Sequence, residues 1–221
     1  MRQRRVFPKH LHELVKGHKY SGEDKSISNR YIISPIAAYL VNKIPRSVAP
    51  NLITIIASLF FVIPYLYVEL FVRGNFASPM PPFGSLFIGL GFSLYTLLDN
   101  MDGKQARRTN TSSPLGMLLD HGSDAFCAAI TTLNLAYMLM AHNTYLVMLA
   151  CSIGTVPFYY ATLESYYIGG VFLPFLNGAS EGAFIITGLG IALEKIGSQV
   201  MLTKVYGVQL NEYVAISVVL S

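Results

Sequence analysis

An all-α membrane bundle is the fold class this 221-residue sequence predicts, and three observations carry the prediction. Hydrophobic residues make up 52% of the chain against 13% charged, and the mean hydropathy is +0.46, a balance suited to lipid rather than water. The apolar residues gather into runs of roughly 20, the length an α-helix needs to cross a bilayer. One polar stretch, residues 99–124, interrupts those runs with four carboxylates at helical spacing.

The elements follow in chain order. Residues 1–30 hold eight Lys or Arg against Glu13, Glu23 and Asp24 and lack the apolar core of a secretory signal. They predict a basic cytosolic arm, either simply solvated or touching anionic lipid; His10 and His12 read as arm residues. Residues 31–48 alternate apolar patches with Lys43 and Arg46 and contain Pro35 and Pro45, the pattern of an interfacial amphipathic helix. The chain thus divides into an arm with its interfacial helix, 1–48, and a membrane domain, 49–221. Spans are expected over 51–72, 83–98, 115–140, 145–163 and 183–193, with Asn51 in a capping position at the mouth of the first. Residues 194–212 read as a lumenal loop. The apolar run from Tyr213 stops after nine residues at Ser221, too few to cross about 30 Å of hydrocarbon, so five to six membrane helices are expected and the last reads as truncated.

Charge sets the orientation. The segment between the second and third spans carries Lys104, Arg107 and Arg108, whereas the turn at 141–144 carries no basic residue, so the arm and the acidic stretch are expected on the cytosolic side. Cys127 and Cys151 lie inside apolar runs and indicate neither a disulfide framework nor a Cys-based metal site. With no Trp, the 14 Tyr residues must supply interfacial anchoring. Gly89, Gly91, Gly188 and Gly190 predict close helix packing. Asn110-Thr111-Ser112 fits a glycosylation sequon but falls on the cytosolic side and reads as loop. No nucleic-acid partner is expected.

The acidic stretch has a geometry. If the second helix continues through it, Asp99, Asp102, Gly103 and Ala106 share one stripe. Ser113-Pro114 then reads as an N-cap with proline in the first turn. Along the helix that follows, Gly116, Asp120 and Asp124 form a second stripe. Antiparallel helices would bring the stripes face to face. Four acids converging at low dielectric repel one another unless a cation neutralises them. All-carboxylate ligation suits Mg²⁺ or Mn²⁺, and four carboxylates suffice for two such ions, which can clamp the oxygens of a phosphoryl group. Gly103, Ala106 and Gly116 leave room beside the ions, and Arg107 offers a fork for phosphate.

The run Asp99-x2-Asp102-Gly103-x2-Ala106-Arg107-x8-Gly116-x3-Asp120-x3-Asp124 resembles the signature of the CDP-alcohol phosphotransferases at all eight fixed positions. Other segments narrow the resemblance to the choline/ethanolamine phosphotransferase branch. These are His18-Lys-Tyr-Ser-Gly22, Asp24-Lys-Ser26, Ala49-Pro-Asn-Leu-Ile-Thr54, Asp120-His121-Gly122, and Glu164 followed by Asn177-Gly-Ala-Ser-Glu181-Gly. That branch is longer, with about ten membrane helices, and commonly has His after a Tyr where this chain has Ser165-Tyr166-Tyr167.

The resemblance implies transfer of phosphoethanolamine or phosphocholine from CDP-ethanolamine or CDP-choline to diacylglycerol, with release of CMP. It also implies a homodimer in an endoplasmic reticulum or Golgi membrane. Carried over by position, Asp99, Asp102, Asp120 and Asp124 hold two Mg²⁺ or Mn²⁺ ions, and Arg107 binds a CDP phosphate. Gly103, Ala106 and Gly116 admit the nucleotide, and Asn51 touches CDP. The general base is His121 or Asp124. A carboxylate on two metals loses basicity while a free imidazole titrates near neutrality, which favours His121; its other role would be to orient Asp120. Glu164 and Glu181 could face the same chamber or be ordinary loop carboxylates. Three rival readings stand beside this one: an intramembrane prenyltransferase, a divalent-cation transporter lined by the four acids, and a truncated membrane protein without activity.

Overall fold

The computed structural model describes residues 21–141, 143–175, 177–196, 204–205 and 208–209. The basic arm over 1–20, residues 197–203, 206–207 and 210–212 of the expected loop, and the run from Tyr213 lie outside the described residues. Strand β1 (Ser21–Asp24) comes first, followed by a wide π turn (Asn29–Ile33) that leads into α1 (Ser34–Val41). Five helices then follow: α2 (Pro50–Val72), α3 (Gly84–Thr109), α4 (Pro114–Met138), α5 (Thr144–Ile168) and α6 (Glu181–Ile196). Strand β2 (Gly170–Leu173) sits between the last two and pairs in parallel with β1. Strands β3 (Lys204–Val205) and β4 (Val208–Gln209) pair antiparallel.

The helix ends have local causes. The Ser113 side chain accepts the Gly116 N–H at 3.1 Å, with Pro114 in the first turn, so α4 starts where the N-cap pattern places it. Helix α5 runs five residues past the expected span and stops at Gly169, whose φ of +80° is the left-handed stop that glycine supplies. Helix α1 is shorter than the expected 31–48. Pro35 opens it instead of breaking it, and past Val41 side chains of α3 take over the carbonyls: Arg108 donates to Val41 and Ile44 at 2.6 and 2.8 Å, and Gln105 to Pro45 and Val48 at 3.1 Å each.

Helix α3 is the centre of the bundle. Gly91 lets its backbone cross α2 against the Phe60 carbonyl, where any side chain would collide. Gly190 of α6 does the same against the Ser85 carbonyl, and Thr187 donates to the Gly89 carbonyl at 2.7 Å. Gly188, by contrast, faces open space. Between α2 and α3, Phe61 meets Tyr95 edge-on at 4.5 Å and Phe92 at 5.2 Å, with Ala57, Cys127, Ile130 and Ala183 buried around them. A second apolar cluster, around Val68, Ile88, Tyr137 and Met138, fills the far end.

Among the described residues, Pro50–Val72 is the one helix long and apolar enough by composition to cross a membrane, with a mean hydropathy of 2.2. Helices α3, α4 and α5, with 26, 25 and 25 residues, have the length. Their acidic, hydroxyl and glycine residues dilute the apolar signal.

Candidate active site

The two acidic stripes end up facing each other. Helix α3 continues unbroken from the apolar run through the acidic stretch to Thr109, and Asn110 then reverses the chain in the left-handed conformation, with φ of 56°. Helix α4 returns alongside. Oxygens of Asp99, Asp120 and Asp124 come within 4.8 Å of one another, and Asp99 and Asp120 stand within hydrogen-bond reach. Asp102, on the next turn of α3, sits just outside that trio; it is buried, and its Oδ2 accepts the Thr54 hydroxyl at 2.5 Å. Asp124 accepts the hydroxyl of Tyr95, one helical turn before Asp99.

These side chains line one end of a cavity of about 900 Å³. Asp99, Asp102, Gly103, Arg107, Asp120, His121 and Asp124 all contribute to its wall. His121 is close enough to Asp124 to interact with it electrostatically. The Arg107 guanidinium folds back over Gly103, its Nη1 3.5 Å from where a Cβ would stand. Asn51 and Gly116 are neighbours: a Cβ on Gly116 would lie 3.3 Å from Asn51 Oδ1. Neither they nor Ala106 belong to the cavity wall. Glu164 is exposed and off the wall, while Glu181 accepts hydrogen bonds from Ser28 and Asn177. Deeper in, the wall turns apolar, with Leu135, Leu139, Phe158 and Ile186.

The donor set fits divalent cations. Three carboxylates gathered this tightly repel one another. Asp99 Oδ1 is buried without a hydrogen-bond partner, which is the condition of an oxygen that needs a cation. Hard ions such as Mg²⁺ and Mn²⁺ match an all-oxygen set.

Sequence reasoning missed Thr54 and Tyr95. Each had a signal: Tyr95 lies four residues before Asp99 on the same stripe, and Thr54 shares a polar face of α2 with Asn51 and Ser58.

Fold and site together define a helical bundle with a carboxylate cluster, able to hold divalent cations, at the joint of two helices. A family model described as CDP-alcohol phosphatidyltransferase matches residues 47–202, and the chain belongs to that family. It is 38% identical over 173 residues to choline/ethanolaminephosphotransferase 2 of Arabidopsis thaliana, covering 78% of this chain and 43% of that protein. With choline/ethanolaminephosphotransferase 1 of Saccharomyces cerevisiae it shares 32% over 174 residues, covering 79% and 44%. With a protein of Encephalitozoon cuniculi named CDP-diacylglycerol–serine O-phosphatidyltransferase it shares 34% over 178 residues, covering 80% and 46%. The chain therefore spans less than half the length of these curated relatives.

Proposed function

We propose that the chain carries the catalytic half of a membrane-embedded CDP-alcohol phosphotransferase, which moves phosphoethanolamine or phosphocholine from its CDP ester to the hydroxyl of diacylglycerol and releases CMP. The observation that carries this reading is the meeting of Asp99, Asp120 and Asp124 at the wall of one cavity, with an Asp99 oxygen buried and unpartnered.

Asp99, Asp102, Asp120 and Asp124 would hold two divalent cations, which when bound draw charge off the diphosphate and make CMP a good leaving group. Arg107, folded over Gly103, forks onto a phosphate. Gly103, Ala106 and Gly116 keep the helix surfaces low enough for the nucleotide, and Asn51 beside Gly116 contacts CDP. His121 accepts the proton of the attacking hydroxyl, with Asp124 as the alternative base. Thr54 and Tyr95 hold Asp102 and Asp124 in place from outside the cation site.

An apolar acceptor is supported by the deep wall of Leu135, Leu139, Phe158 and Ile186. Embedding in the bilayer is supported by the outer face of α2, where Leu52, Ile55, Ile56, Leu59, Ile63, Leu66 and Leu70 are exposed. Such a patch in water would far exceed what a soluble monomer exposes. In this reading five helices cross the membrane, the site opens to the cytosol, and the membrane is that of the endoplasmic reticulum or Golgi.

A second substrate pair has support in the Encephalitozoon relative, whose name specifies CDP-diacylglycerol and serine. The test measures CMP release by the full chain in detergent micelles with Mn²⁺. One arm supplies CDP-ethanolamine or CDP-choline with diacylglycerol, the other CDP-diacylglycerol with serine. Metal-dependent release in the first arm, lost in Asp120→Asn, is the expected result. Release in the second arm alone would move the assignment to the other substrates. Failure of both arms, together with no metal-dependent binding of CDP, would overturn it.

A further inference from the structure

The segment ahead of α2 has two faces of different character. Ile33, Ala37 and Val41 are 0–5% exposed, and Ala37 and Val41 pack with Ile53 of α2 and Met101 of α3. On the other side Ile27, Tyr31, Ile32, Ile36 and Tyr39 are 42–68% exposed. Five large apolar side chains turned outward within residues 27–39 make a face that water does not favour.

The charge on this segment has one sign. Between Lys25 and Val68 the chain carries Lys25, Arg30, Lys43 and Arg46 and no Asp or Glu. The Arg30 guanidinium lies over the Tyr31 ring at 5.5 Å, and the Lys43 amine over the Tyr39 ring at 5.3 Å. Each cation thus stands at the polar edge of the apolar face, its stem along an aromatic ring. Apolar residues on one side with Lys and Arg at the margin are the composition of a helix that lies in a membrane interface.

A bracket fixes where the first two of these cations stand, by fastening the chain before α1 to the segment before α6. The ladder of β1 on β2 starts it, and the Lys25 N–H continues the ladder to the Leu173 carbonyl at 3.2 Å. Asp24 Oδ1 accepts the Ser26 N–H at 2.9 Å and Asn177 Nδ2 at 3.0 Å, and its Oδ2 accepts the Ser180 hydroxyl at 2.6 Å. Glu181 Oε1 accepts the Ser28 hydroxyl at 2.9 Å, and the Arg30 N–H reaches the Ser26 carbonyl at 3.0 Å. Lys25, Arg30 and Ser34 then line an open pocket with Phe175, which is 60% exposed. Asp24 also lines it, its carboxylate already engaged by those three donors. Ser34 accepts Lys104 Nζ at 3.0 Å, which leaves its own hydroxyl hydrogen to donate and adds a third cation beside the pocket.

We infer that this pocket takes the phosphate of an anionic phospholipid of the adjoining leaflet, with α1 lying in the interface and its exposed apolar face toward the acyl chains; this rests on the bilayer embedding proposed above. Lys25, Arg30 and the Ser34 hydroxyl supply two charges and a donor to phosphate oxygens. A zwitterionic head group would set its own ammonium among these cations. A soluble phosphate would leave the five apolar side chains beside the pocket uncovered, whereas a lipid satisfies both features at once.

The chain has no Trp, so one introduced indole reports its neighbours alone. Tyr31→Trp, which keeps an aromatic ring beneath Arg30, is made in the full chain and reconstituted in phosphatidylcholine bilayers. These contain brominated phosphatidylserine or, at the same mole fraction, brominated phosphatidylcholine, and quenching of the indole gives the relative affinity of the two lipids. Stronger quenching by brominated phosphatidylserine is expected. Lys25→Gln and Arg30→Gln should each lower that preference roughly fivefold, the scale of one cation at an anionic surface, and Lys43→Gln, outside the pocket, by less than about twofold. Leu70→Trp, on the exposed face near the far end of α2, should be quenched equally by both lipids. Equal or no quenching of Tyr31→Trp, a preference that survives Lys25→Gln combined with Arg30→Gln, or an equal loss in Lys43→Gln would each overturn the inference. Quenching of Leu70→Trp in the same bilayers would leave the embedding standing, and its absence with both lipids would overturn the embedding as well.

Discussion

Glu69, near the far end of α2, and Asp99, near the end of α3, are both carboxylates set among packed helices, and their surroundings differ in kind. Glu69 accepts the hydroxyl of Tyr137, and Phe76 stacks on that tyrosine's ring at 4.3 Å. One acid there has one donor and an aromatic wall. Asp99 has two other acids within 4.8 Å and one oxygen with no partner. The first arrangement is complete as folded, whereas the second becomes complete only with a cation. Both occur in one bundle, so burial of a carboxylate does not by itself mark a site. Crowding of like charges together with an unsatisfied oxygen does.

Substitutions at the two ends should therefore separate. Asp120→Asn is expected to have the largest effect, lowering metal-dependent CDP binding at least about 100-fold. With chelator present, the same variant should melt no lower than the wild-type chain, because one repelling charge has gone; thermal unfolding in detergent checks this. Tyr137→Phe reverses the pattern. It leaves a Glu69 oxygen without its donor and should cost about 1–3 kcal/mol of stability, with CDP binding unchanged. If Tyr137→Phe weakened CDP binding as well, the two ends would not be independent.

A smaller effect is expected from Thr54→Val, which removes the donor to Asp102 while keeping its shape. Loss of a supporting partner of this kind weakens metal affinity by roughly tenfold, and a Mn²⁺ titration would show it. The smallest concerns Glu181 in the bracket. Burial pushes its pKa up, but the hydrogen bonds from Asn177 and Ser28 outweigh that and hold it below the ordinary glutamate range. Its contribution is therefore complete above that range and is lost as pH falls through the lowered value. Glu181→Gln should lower the melting temperature at neutral pH, where the carboxylate's contribution is complete, and converge with the wild-type chain in acid, so that the acid limb of the profile is flatter.

Much of the site could be read in the sequence because its parts are local. The stripes of Asp99, Asp102 and Gly103 and of Gly116, Asp120 and Asp124 follow from helical spacing alone, and Ser113-Pro114 announces the start of the helix that carries the second. The left-handed stop at Gly169 was equally local, and the run 145–163 hid it because Glu164 and Ser165 look like loop residues. The bracket could not be read. Asp24 and Asn177 lie 153 positions apart, and no periodicity connects a four-residue strand to a partner at that distance. The early end of α1 has the same cause, since Arg108 and Gln105 reach it from another helix. Glycines mark contact only with a partner: Gly91 and Gly190 meet a backbone, while Gly188, with the same local pattern, meets nothing.

The central claim is that Asp99, Asp102, Asp120 and Asp124 form a cation site that serves a nucleotide diphosphate. Its most direct test is a Mn²⁺ titration of the full chain in detergent, with and without CDP, followed by electron paramagnetic resonance. Two bound ions per chain, tighter in the presence of CDP and lost in Asp99→Asn, are the predicted result. Mn²⁺ that does not bind, or that binds equally well in Asp99→Asn and without regard to CDP, would contradict the account.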